Sequence, residues 1–134
     1  MTWLAGILAL LLSLDPVGSY LTRLYPEHIN VASPIPQSPG AFGYVEWDTR
    51  QVWVDPEAIY RWGPYLTQHD LDAIAACALV HESAHLRFPR REHEIAMIYG
   101  YMCLDRLGAS AQVKDHVYRQ IEATVVVKPR DDHE

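Results

Sequence analysis

The chain has 134 residues, of which 49% are apolar and 21% are charged, and its formal net charge is −6. This length and composition are typical of one globular domain with a single hydrophobic core, here expected to span residues 1–134. The acidic balance argues against nucleic-acid binding, because no Lys/Arg cluster is larger than Arg90-Arg91. Cys77 and Cys103 both fall in predicted helices, where each is expected to be a small core residue rather than half of a disulfide. Because no C-x-x-C pair is present, a structural cysteine–zinc site is excluded.

The N-terminal residues 3–14 form an uncharged apolar run that is shorter than the roughly 20 residues a membrane span needs. We expect a buried helix here, since no Lys or Arg precedes the run and Asp15 follows it. A signal peptide or membrane anchor within residues 1–28 is the alternative, because Val17-Gly18-Ser19 offers small residues for cleavage. The first interpretation narrowly favours a cytoplasmic protein, and the second favours a secreted or membrane-anchored one.

The following segments predict a small sheet surrounded by helices, and therefore an α+β fold. Residues 29–32 are a candidate first strand, and the aromatic and β-branched segments 41–47 and 51–54 predict a β-hairpin. Prolines, glycines and capping residues predict helices on either side of it, at residues 16–25 with Asp15 as N-cap, 57–62, 68–87, 91–107 and 111–124.

The helix predicted at 68–87 contains His81 and His85 four residues apart, with Glu82 directly after the first, which is the H-E-x-x-H motif. Residues four apart on a helix have Cβ atoms about 5–6 Å apart, so two imidazoles can bind one Zn²⁺. The helical wheel continues the apolar line of residues 71, 74, 75 and 78 through these three side chains, which are expected to face the core. Two hydrogen-bonded core histidines beside an unrelated Glu are the alternative, but they would leave Glu82 as a costly buried charge.

A catalytic zinc ion usually has three protein ligands, and the following predicted helix offers candidates for the third. Glu94 is the first choice, because it shares a helix face with residues 97, 98, 101 and 105. His93 is the alternative, and Glu92 is the least favoured of the three. The metzincin pattern would require Gly at position 88 and His at position 91, where this chain has Phe88 and Arg91, so that class is excluded.

Residues 79–86, Leu-Val-His-Glu-Ser-Ala-His-Leu, followed by residues 92–96, Glu-His-Glu-Ile-Ala, resemble the zincin metallopeptidases. Within these the chain looks most like the gluzincin-type branch and the small ImmA/IrrE-like peptidases. The resemblance covers roughly residues 41–107 and implies a minimal zincin-like domain with its metal-binding core there, followed by a C-terminal helix and tail at 110–127. Those relatives commonly carry Glu three residues before an Ala of the second helix, a position that corresponds here to His93.

The resemblance also implies an activity, namely hydrolysis of protein or peptide bonds by a zinc-bound water with Glu82 as the general base. Candidate donors to the developing oxyanion are Tyr118, His116 and Tyr101. In a zincin, an extended peptide pairs with the edge strand of the sheet, for which residues 51–54 and 42–47 are the candidates.

Two other functions remain open from the sequence. One is a zinc-binding interaction module of zincin shape that does not cut, which would not need Glu82. The other is a metal-free structural protein, associated with a membrane through residues 3–14.

Overall fold

The computed structural model describes residues 2–23, 29–46, 48–62, 66–87, 93–115 and 117, without the side chains of Trp62, His93 and Glu94. These residues form an α+β fold, as the sequence predicts. In chain order the elements are α1 (Trp3–Leu14), α2 (Pro16–Arg23), β1 (Ile29–Val31), β2 (Gly43–Glu46), β3 (Gln51–Val54), α3 (Pro56–Trp62), α4 (Gln68–Arg87) and α5 (His93–Arg106). A further helical stretch covers residues 111–115, where Ser110 Oγ accepts a hydrogen bond from the Val113 amide at 3.2 Å.

The sheet has the order β1-β3-β2, with β1 parallel and β2 antiparallel to the central β3. The predicted hairpin is confirmed as β2 and β3. Residues that alternate along a strand share a face, and Val45, Val52 and Val54 are all buried on the face that packs against α4.

Helix α4 is the centre of the fold, and the sequence predicts both of its ends correctly. Its first turn is capped by Thr67 Oγ1, which accepts a hydrogen bond from the Asp70 amide at 3.1 Å. The sheet, α1, α2, α3 and α5 all contact α4. Almost every residue from Leu71 to Leu86 is therefore buried, and only Asp72 and Ala78 are half-buried. The helical wheel predicts one buried face, but the structure buries α4 on nearly all sides, so the buried surface is wider than predicted.

The apolar run at the N-terminus forms α1, whose Ile7 and Leu11 lie in the core. Trp3 Nε1 donates a hydrogen bond at 2.8 Å to the hydroxyl of Tyr60, which in turn donates to Asp72 Oδ1 at 2.6 Å. These contacts attach the start of α1 to α3 and α4. The predicted helix is observed, but it is only partly buried, because Ile7 and Leu11 are its buried residues and Leu12 is 58% exposed. Whether residues 1–28 act as a signal or anchor stays a prediction.

None of the helices in the described ranges has the length and apolarity that crossing a membrane requires.

Two predicted helices extend beyond the described residues, and two residues predicted at helix ends agree with the structure. The sequence predicts that α2 reaches Tyr25; the structure describes it over Pro16–Arg23, and residues 24–28 lie outside the described part. Asp15 is the C-cap of α1, and its carbonyl also accepts the first hydrogen bond of α2, from the Ser19 amide at 2.8 Å, as expected of the predicted N-cap. Its buried carboxylate accepts a hydrogen bond from Arg106 Nη1 at 2.9 Å. Gly108, one of the glycines that predict a helix end, has φ +75°, a backbone conformation that favours glycine directly after a helix such as α5. The predicted helix at 111–124 extends past the described residues.

The prediction for the cysteines is wrong, because Cys77 and Cys103 form a disulfide that joins α4 to α5. The two Cα atoms are 5.5 Å apart, a separation typical of disulfides. Both residues are buried, as expected of core cysteines. Their pairing depends on how α4 and α5 pack together, which neither helix shows by itself.

Candidate metal centre

His81 and His85 lie one turn apart on α4, and both side chains are buried, at 6% and 0% exposure. The two Nε2 atoms are 3.2 Å apart, and the ring planes are nearly perpendicular with centroids 4.8 Å apart. The structure therefore brings both predicted ligands together, with the same ring nitrogen of each turned towards the other.

The distance between the two Nε2 atoms fits a shared zinc ion. With Zn–N bonds of about 2.0–2.1 Å, two ligands of a tetrahedral ion are about 3.3–3.4 Å apart. A direct hydrogen bond between the two rings would give a similar distance, so this geometry agrees with both interpretations of the pair.

Glu82 is buried beside the two histidines, with 5% of its surface exposed. Among the residues that the structure describes, its Oε1 has no hydrogen-bond partner. Burial raises the pKa of Glu82 from 4.5 to about 8. A buried acid with an unmet hydrogen-bonding atom is unfavourable in a purely structural role, and this combination is typical of functional sites.

Helix α5 packs closely against the histidine side of α4 at Gly100. A Cβ atom placed on Gly100 would lie 3.5 Å from His81 Cβ and 3.7 Å from His81 Nδ1, which are ordinary contact distances. The disulfide lies one turn from His81, and the chain between its two cysteines contains both histidines and all three candidate third ligands. The disulfide thus closes a loop around the whole candidate centre.

The third ligand cannot be assigned from the described residues. Glu92 lies outside them, and so do the side chains of His93 and Glu94, although both of these residues belong to the first turn of α5. No group of three His, Cys, Asp or Glu side chains within the described part is arranged to hold a metal ion. The choice among residues 92–94 therefore stays a prediction.

The candidate oxyanion donors also remain untested. His116 and Tyr118 lie outside the described residues. Tyr101 is 40% exposed on α5, and Lys114 Nζ lies 6.0 Å from the centroid of its ring. The exposure of Tyr101 contrasts with its neighbour Gly100, which is buried against His81.

The order of the strands in the sheet shows which of the two candidate segments, 51–54 or 42–47, lies at an edge where a peptide could pair. Residues 51–54 form the central strand β3, which pairs on both sides, so that candidate is excluded. Strand β2 lies at the edge of the sheet, and the Asp55 amide donates to the Phe42 carbonyl at 2.9 Å, in register with the β2–β3 ladder. Because hydrogen-bonded pairs alternate along an antiparallel ladder, the backbone N–H and C=O groups of Gly43 and Val45 face away from β3.

Two residues at the site were not identified from the sequence, namely Gly43 next to Glu82 and Gly100 next to His81. The only local signal was a glycine inside a predicted strand or helix, which can mark a close approach of another part of the chain. The partner in that approach could not be read from local sequence.

Comparisons of the chain with protein-family models, curated proteins and solved structures gave no significant match.

Proposed function

We propose that this protein is a zinc-dependent metallopeptidase. The observation that carries the proposal is the group of three buried side chains on α4, in which two Nε2 atoms lie 3.2 Å apart beside an acid whose Oε1 has no partner among the described residues. A metal-free core would not need Glu82 at this position. A zinc protein that does not cut would need the two histidines but not the acid.

His81 and His85 would hold the zinc ion through Nε2, and the third ligand would come from residues 92–94. Zinc at this position would supply Lewis-acid chemistry, which polarises a carbonyl group and lowers the pKa of water. The surrounding core of α4 keeps both imidazoles in place and limits access of bulk water to them.

Glu82 would act as the general base. Its carboxylate takes a proton from the attacking water and returns it to the nitrogen of the departing amine. A nearby positive charge favours the ionised form of a buried acid, so a bound cation would oppose the upward pKa shift caused by burial.

The peptide substrate would bind in an extended conformation along β2. The outward N–H and C=O groups of Gly43 and Val45 can form main-chain hydrogen bonds with such a peptide, as in strand addition. A Cβ built on Gly43 would lie within 3.3 Å of Glu82 Cγ, Cδ and Oε2, so a peptide paired there would pass beside the proposed proton acceptor.

Metal content and cleavage of a peptide library test this function on three variants. We expect about one zinc per chain for the wild type and for Glu82→Gln, with cleavage by the Gln variant reduced about 10²–10⁴-fold because the base is lost. His85→Ala should lose both zinc and activity. His69→Gln is the matched control, since His69 lies on the same helix but its Nε2 is 2.6 Å from the Leu107 carbonyl oxygen, and it should keep its zinc. Wild-type protein that takes up no zinc, or a Gln variant that cuts at the wild-type rate, would refute the proposal.

The disulfide favours an oxidising compartment for this function, because such bonds persist outside the cytosol and are rare within it. This observation favours the secreted or membrane-anchored alternative over the cytoplasmic one. Labelling of free thiols in protein taken from its native host tests the point, and two reactive thiols in the unfolded chain would place it in a reducing compartment.

A further inference from the structure

We propose that Gly43 is a positioning residue for Glu82, and that the absence of a side chain at this position on β2 fixes where the carboxyl group of Glu82 lies. The inference rests on the proposed function for its catalytic consequence. The contact between the two residues can be tested independently of activity.

The steric evidence is direct. A Cβ atom built on Gly43 would lie 2.8 Å from Glu82 Cγ, 3.1 Å from Oε2 and 3.3 Å from Cδ. Real Cβ atoms essentially never approach another heavy atom closer than 3.0 Å. Any residue other than glycine would therefore have to displace either the Glu82 side chain or β2 itself.

The strand has little freedom to move away. Gly43 is paired with Val54, and the next backbone bond of the ladder joins the Asp55 amide to the Phe42 carbonyl. Asp55 is itself buried, where its Oδ1 accepts hydrogen bonds from the Ala58 amide at the start of α3 and from the hydroxyl of Ser33. Moving β2 would disturb this buried network.

Helix α4 is fixed as well, because the sheet packs on one side of it and α5 on another, next to Gly100. The part that can yield is the Glu82 side chain, through rotation about its own bonds. We therefore expect a side chain at position 43 to turn the carboxyl group away from its present place while leaving His81 and His85 where they are.

That displacement would matter for catalysis because Gly43 lies next to Glu82 and also belongs to the strand where the peptide substrate would bind. A Cβ at this position would clash with Glu82, and its outward N–H and C=O groups lie at the edge where an extended peptide would pair. The residue thereby sets the distance between the proton acceptor and the bound peptide, and an error of about 1 Å in such a distance can cost about 10²-fold in rate.

The contact is tested by a stability cycle on Gly43→Ala, Glu82→Ala and the double variant, with Gly6→Ala as the control because nothing lies within 4 Å of a Cβ at Gly6. Gly43→Ala should lower the Tm by about 5 °C in the wild type, as expected for overpacking. In the Glu82→Ala background the same change should lower it by less than about 2 °C, since the clashing atoms are gone. Equal losses in the two backgrounds would overturn the proposal.

The catalytic consequence is tested on Gly43→Ala with a cleaved peptide. We expect kcat to fall about 10-fold or more, while KM stays within about threefold and the zinc content matches the wild type. Visible spectra of the Co²⁺-substituted protein should also be unchanged, because the metal ligands have not moved. Loss of metal, or an effect on KM alone, would show that Gly43 supports the fold or binding rather than the position of Glu82. If the wild type cleaves no peptide, the proposed function is refuted. The stability cycle would still test whether Gly43 and Glu82 are in contact.

Discussion

The disulfide between Cys77 and Cys103 offers a stability prediction that can be worked out in magnitude. Replacing both cysteines by alanine removes the bond without leaving a free thiol. The two residues are 26 positions apart, so the bond restricts a loop of this length in the unfolded chain. Its loss should lower stability mainly by giving the unfolded chain more freedom.

The loop-closure relation gives the size of this effect. For a loop of 26 residues, the entropy removed is about 12 cal/mol/K, which corresponds to about 3.5 kcal/mol at room temperature. For a chain of 134 residues, this amounts to a fall in Tm of roughly 10–15 °C. The affinity of the proposed zinc site should change little, because His81 and His85 are held by the buried helix α4 and not by the bond itself.

The assay is denaturant unfolding of the oxidised wild type and the double alanine variant, with zinc affinity measured by chelator competition. The wild type treated with reductant provides an independent comparison, and the same reductant should leave the alanine variant unchanged. A loss of less than about 1 kcal/mol would refute the loop-closure reasoning. A fall in zinc affinity of more than tenfold would show that the bond also shapes the folded site.

Two further predictions concern the attachment of α1 and α2 to the rest of the fold. Tyr60→Phe should cost about 1–2 kcal/mol by removing the hydrogen bonds with Trp3 and Asp72. Burial raises the pKa of Tyr60 to about 12, above the value of about 10 in the unfolded chain. Its contribution to the free energy of unfolding should therefore be complete below about pH 10 and be lost as the pH rises through 12. In denaturant titrations, the Phe variant should lose less stability than the wild type over this pH range. Asp15→Asn should lower the free energy of unfolding by about 1–3 kcal/mol, because it weakens the ion pair between the buried Asp15 carboxylate and the partly exposed Arg106. A loss within error of zero would contradict that role.

Elements that depend on local sequence were largely predictable. Thr67, whose Oγ1 accepts a hydrogen bond from the Asp70 amide, marks the start of α4, and Gly108 marks the end of α5. The spacing of His81 and His85 alone was enough to predict that their side chains meet, because four residues make about one helical turn. These features arise from neighbours in sequence, so no knowledge of the fold was needed.

Features that depend on the packing of distant segments were not predictable in the same way. The disulfide requires α4 and α5 to pack so that the Cα atoms of Cys77 and Cys103 lie 5.5 Å apart. The sequence pattern of each helix does not predict how the two helices pack. The choice of β2 as the edge strand depends on β1, which pairs with β3 from the other side. A residue pattern that predicts a strand does not determine its neighbours.

The candidate centre depends both on local sequence and on the packing of distant segments. Helix α4 supplies all three chemical groups from a single stretch of chain, so their mutual spacing needs no tertiary contact. Their surroundings come from elsewhere, with Gly43 of β2 against Glu82 and Gly100 of α5 against His81. Both approaches occur at a residue without a side chain, and only the first leaves no room for one. The difference implies that His81, a proposed metal ligand, tolerates a small side chain at position 100, whereas the position of the Glu82 carboxyl group depends on the absence of a side chain at position 43.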